Sequence, residues 1–157
     1  MGLENLKNEY LELHKKYRLP SFQEMNEDFY IEKIAENETE ILIREVRRTV
    51  GDRLTNYMRF VENLLNPVNV PMFVFSIIKL IGQEEKNKLS EIYKKLIKNE
   101  IRFVERDLEF DELKEAEFVR DSYGLWQEIK KELANILEKV DKNWGTKTEE
   151  SSKGYFS

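Results

Sequence analysis

The chain has 157 residues with 26 basic against 31 acidic side chains, a formal net charge of −5, and its length suits one ordinary domain. Hydrophobic residues reach 40% and aromatics 11%, which excludes a disordered chain and suffices for one core. Six Gly and three Pro are too few for the turns of a β-sandwich or barrel, and the lack of Cys excludes disulfides, thiolate metal sites and cysteine nucleophiles.

The first ten residues carry Glu4, Lys7 and Glu9 without an apolar core, so they do not read as a secretory signal. Leu6 stands where a myristoylation motif needs Ser or Thr. The most apolar stretch, residues 68–81, is interrupted by Asn69 and Lys79 and falls short of the roughly 20 residues of a membrane span. A cytoplasmic protein with no membrane partner is expected.

Apolar residues recur at helical spacing almost throughout. Leu3, Leu6, Tyr10, Leu13 and Tyr17 step by three and four along one stripe, and Leu19-Pro20 stops that helix. Ser21 and Glu24 stand at capping-box spacing, which predicts a short helical turn to about Asp28. Residues 28–34 come nearest to a strand pattern, but the run is short.

The next helix is expected from Asn37 or Glu38 to just before Asn66-Pro67, with Ile43, Val46, Val50, Leu54, Tyr57, Val61 and Leu64 inward. Gly51 inside it costs up to about 1 kcal/mol relative to Ala, and a close helix crossing explains its presence. Asn69 and Pro71 suit a helix start. They predict a helix over 71–81, apolar on nearly every side and therefore surrounded by its own bundle or by another subunit, with Gly82 ending it.

Leu89, Leu96, Phe103 and Phe110 repeat by seven, as do Val119, Trp126, Leu133 and Val140, with Ile129 and Ile136 completing the second stripe. The nine-residue step from Phe110 to Val119 puts the two stripes on opposite faces of any single helix. A break at 110–112 follows, with Asp111 as cap and an antiparallel pair of long helices. The expected fold is all-α: a bundle of four to five helices over residues 1–142, followed by a polar, flexible tail over 143–157.

The densest acidic stretch, residues 105–121, fails as a calcium loop, because from Asp107 the sixth position is Glu112 instead of Gly and the twelfth is Phe118. It reads as a solvated helix corner. The single histidine, His14, rules out a paired Glu-x-x-His di-iron site and reads as a flank residue. No Ser lies in G-x-S-x-G and no glycine-rich phosphate loop occurs. No catalytic residue, metal site or cofactor is indicated.

Three interaction candidates remain. Arg44, Arg47 and Arg48 form a local basic face suited to phosphate or nucleic acid, although Glu40–Arg44 and Arg48–Asp52 pairs four apart offer an ordinary surface alternative. Met72, Phe73, Phe75, Ile78 and Lys79 are the candidate interface for a protein partner or for self-association. Tyr155 and Phe156 could dock in a partner's groove.

The phrases LPSFQEMNEDFYIEKI (19–34), NPVNVPMFVFSIIKLI (66–81) and WQEIKKELANILEKV (126–140) resemble a group of small archaeal proteins of unknown function. That resemblance implies an archaeal cytoplasmic protein and transfers no catalytic residue. The functional expectation is a non-enzymatic helical interaction or assembly protein, with a nucleic-acid-associated role as the alternative.

Overall fold

The structure, a computed structural model, describes the backbone of residues 1–156 and the side chains of residues 1–146. The chain is all-helical, with no strand among the described residues. The helices are α1 (Leu3–Tyr17), α2 (Phe22–Phe29), a 3₁₀ helix (Ile31–Glu36), α3 (Leu42–Leu65), α4 (Met72–Ile78), α5 (Gln83–Leu108) and α6 (Glu112–Phe156). The element count exceeds four to five because α2 and the 3₁₀ helix, together barely four turns, form separate segments where periodicity shows only a capped turn.

α3, α5 and α6 pack pairwise and carry most of the core. Ile43, Val46, Val50, Leu54, Val61 and Leu64 of α3 meet Leu89, Ile92 and Leu96 of α5, and Val119, Trp126, Ile129, Leu133 and Ile136 of α6. The three- and four-residue steps of these side chains make one inward stripe per helix, as the sequence spacing requires. α1 and α2 close the side of this unit. Tyr10 Oη donates to the Pro20 carbonyl at 2.6 Å, and His14 Nδ1 donates to the Leu19 carbonyl at 2.5 Å, so the lone histidine ties α1 to the turn that follows it.

The local signals before α2 act as expected. Ser21 Oγ accepts from the Glu24 amide at 3.1 Å, and the Glu24 carboxylate accepts from the Ser21 amide at 3.4 Å. Ser21 and the Tyr123 hydroxyl, which donates to Glu24 at 3.0 Å, hold the Glu24 carboxyl below its ordinary range. Burial, reinforced by Glu24, pushes the Tyr123 phenol up to about 12. The break before α6 also falls where the stripes change phase: α5 ends at Leu108, and Asp111 Oδ1 accepts from the Lys114 amide at 3.0 Å.

α3 begins at Leu42, later than the expected Asn37 or Glu38. The chain leaves the 3₁₀ helix extended at Asn37 and is still extended at Ile41, which stands at the N-cap position with no side-chain cap. Inside α3, a β-carbon added at Gly51 would collide with the Phe103 ring of α5, so the glycine marks a close helix crossing. That ring stacks on Phe118 with centroids 5.8 Å apart and has the Arg47 guanidinium over it. It therefore has little freedom to give way. Gly51→Ala is expected to lose about 1–3 kcal/mol despite the better helix propensity of Ala; a urea midpoint equal to or above the parent's would refute the tight crossing.

Candidate functional site

The segment from Asn66 to Gly82 builds the first surface. Asn69 has left-handed backbone (φ 54°) and does not cap α4; Pro71 occupies the N-cap position. The helix stops at Ile78, and the amides of Leu80 and Ile81 bond to the carbonyls of Ile77 and Ile78 in a closing turn. Gly82 then serves as the N-cap of α5. Two turns of helix touching mainly α3 cannot be enclosed. Val74 and Ile81 enter the core, and Ile77 and Ile78 pack against it. The opposite face is bare: Met72 is 84% exposed and Phe73 65%, and Phe75 and, before the helix, Val68 are exposed too.

The expectation that this helix is surrounded on all sides therefore fails within the chain. Of the candidate interface residues, Met72, Phe73, Phe75 and Lys79 are exposed, whereas Ile78 is half-buried against the core.

A second apolar surface escaped the sequence reading. Ile101, Val104 and Leu108 are exposed, Leu108 at 81%, with Leu113 exposed across the turn. They step by three and four along α5, on a different face from Leu89 and Leu96. The heptad from Leu89 to Phe110 drew attention away from that parallel spacing. Phe110, its last member, is exposed with the Arg44 guanidinium 4.8 Å from its ring centroid.

The arginine face does not assemble. Arg47 is 1% exposed and faces inward. Its Nε donates to Glu115 Oε2 at 2.5 Å, Nη2 to Glu115 Oε1 at 3.2 Å, and Nη1 to Asp107 Oδ1 at 2.7 Å. Desolvation acts to lower its pKa, but the hydrogen bonds with Glu115 and Asp107 prevail and raise it. Arg47 is thus withdrawn from any phosphate. Arg48 lies beside Glu45 (3.1 Å) and Asp107 (4.0 Å), in place of the expected Asp52 partner. Glu40 precedes α3, so the helical Glu40–Arg44 spacing does not arise.

The acidic stretch is less bland than its composition suggests, because Asp107 and Glu115 converge on Arg47. Among the described residues no group of three or more His, Asp or Glu side chains could hold a metal ion, and no helix is long and apolar enough to cross a membrane. The side chains of Tyr155 and Phe156 lie outside the described residues.

Compared with known proteins, the chain matches no family model, no curated protein and no solved structure. These comparisons do not bear on the resemblance to small archaeal helical proteins.

Proposed function

We propose that the chain is a non-enzymatic helical assembly protein that associates with further copies of itself through the bare face of α4. One observation carries this reading: Met72, Phe73 and Phe75 are exposed apolar side chains on a helix whose other side is core, and Val68 in the segment before it is exposed as well. Patches of this kind mark association surfaces. Four side chains make a small patch, so the association is expected to be weak and concentration-dependent.

The scaffold is read as a bundle in which α5 and α6 run antiparallel. Partner numbers that fall along α6 as they rise along α5 support this: Glu85 with Lys139, Lys95 with Glu128, Asn99 with Ser122, and Arg102 with Asp121. The stripe at Ile101, Val104 and Leu108 then lies along the first half of α3, where Phe103 abuts Gly51 and Asp107 meets Arg47, while α4 follows the end of α3. Of the arginine face, the nucleic-acid alternative keeps Arg48 exposed and Arg44 half-buried over Phe110, with Arg47 withdrawn.

Sedimentation equilibrium over a concentration series tests the proposal. The parent protein is expected to gain mass with concentration, and Phe73→Glu to remain monomeric with an unchanged melting temperature, since an exposed side chain adds little to stability. Lys79→Glu, beside the patch, should shift the association constant without unfolding the chain. A parent that stays monomeric at every concentration, or a Phe73→Glu variant that associates equally well, defeats the reading.

A further inference from the structure

A pocket of about 230 Å³ lies between the C-terminal part of α5 and the first turns of α6, lined by Arg102, Glu105, Arg106, Lys114, Glu117 and Phe118. Arg102 also borders a neighbouring pocket of about 210 Å³, where Lys95 and Lys98 add further positive charge. Positions 95, 98, 102 and 106 step by three and four, so one face of α5 carries all four cations. This concentration stands out in a chain of net charge −5.

Two of these cations have carboxylate partners: Arg102 pairs with Asp121 at 3.0 Å and Lys95 with Glu128 at 3.9 Å. Arg106 differs. Its Nη1 is buried and has no hydrogen-bond partner, although Glu105 and Glu117 line the same pocket. Its carbonyl accepts from Arg47 Nη2 at 3.4 Å, which fixes this turn of α5 to the buried ion pair. A half-buried guanidinium with an unused donor carries a desolvation cost at that nitrogen.

We propose that this pocket binds a phosphate-class oxyanion, with Arg106 and Lys114 as its principal contacts and Arg102 at its border. Glu105 and Glu117 line the same pocket and oppose an anion there, so the net attraction is modest for a single charge and twice as large for a doubly charged ligand. The buried Nη1 lies out of an anion's reach, so the contact falls to the rest of the half-buried guanidinium, whose planar fork suits phosphate oxygens.

The test uses inorganic phosphate and adenosine monophosphate as probes, against chloride at matched ionic strength, read by thermal shift and by ³¹P line broadening. Either probe is expected to raise the melting temperature of the parent. Arg106→Gln and Lys114→Gln should each weaken binding about tenfold, while Lys94→Gln, an exposed lysine paired with Glu91, should leave it unchanged. Lys114 is exposed, so its variant keeps the test decisive if Arg106→Gln folds poorly. Equal response to both probes identifies free phosphate as sufficient, and a stronger response to the nucleotide identifies a phosphate carried on a larger group. No shift or broadening with either probe, or responses equal in the parent and both pocket variants, overturns the proposal.

Discussion

Glu115→Ala is expected to cost about 3–5 kcal/mol of stability, because it leaves the Arg47 guanidinium buried without its main counter-charge. Glu115 is fully buried, and its two oxygens take the Nε and Nη2 donors of Arg47 in a bidentate fork. Asp107 supplies the third contact but is half exposed, so Asp107→Asn should cost much less, with water replacing the lost partner. The pair joins the first turns of α3 to the start of α6, and Asp107 brings in the end of α5.

Removing both charges gives a different result from removing one. Replacing Arg47 with Met and Glu115 with Leu together fills a similar volume without a charge to desolvate, and is expected to recover most of the loss. Urea unfolding of the parent, the single variants and the double variant measures this cycle. A Glu115→Ala loss below about 1 kcal/mol would mean that the pair is not shielded as the structure has it.

The buried pair also shows which parts of the structure were legible. Hydrophobic spacing located α1, α3, α5 and α6 because each buries one continuous stripe, and side-chain chemistry located the ends marked by Ser21 and Asp111. The same spacing contains the buried polar residues. Ile43, Arg47, Val50 and Leu54 step by four, three and four, and Glu115, Val119, Ser122 and Trp126 by four, three and four. Arg47, Glu115 and Ser122 thus occupy stripe positions, and so does Asn99, three residues after Leu96. Asn99 Nδ2 donates to Ser122 Oγ at 2.8 Å in the core.

A reading that sorts charged residues onto the surface by type overlooks this signal, although a charge on an apolar stripe calls for a buried partner on another helix. The exposure of α4 had no such signal. An apolar run reads as buried whether or not the chain has enough structure to cover it, and coverage depends on tertiary placement. In this case Pro71 and the turn before Gly82 limit the helix to seven residues packed mainly on α3.

Trp126 provides the second large effect, and it separates packing from hydrogen bonding. Its ring is buried and stacks on Tyr57 of α3, with centroids 4.3 Å apart and planes 28° apart, while Arg53 lies 5.6 Å over the other member of the stack. Trp126→Ala removes this contact and opens a cavity between α3 and α6, at an expected cost of about 3–5 kcal/mol. The indole Nε1, however, is buried without a hydrogen-bond partner, so the nitrogen contributes an unpaid desolvation cost and no bond. Trp126→Phe keeps an aromatic ring against Tyr57 and removes that donor. Its loss is expected to stay within about 1 kcal/mol, because the smaller ring's packing deficit is offset by the relief of the unsatisfied group. Chemical denaturation followed by far-ultraviolet circular dichroism compares the two variants without relying on indole fluorescence, which Trp144 also supplies. If the phenylalanine variant lost as much as the alanine one, the indole nitrogen would have to hold a bond that the packing around it does not show. Trp126 and Glu115 lie eleven residues apart on α6, about 16 Å, so the two large losses should add, and a strong departure from additivity would mean that the ion pair and the aromatic stack hold one shared arrangement of α3 against α6.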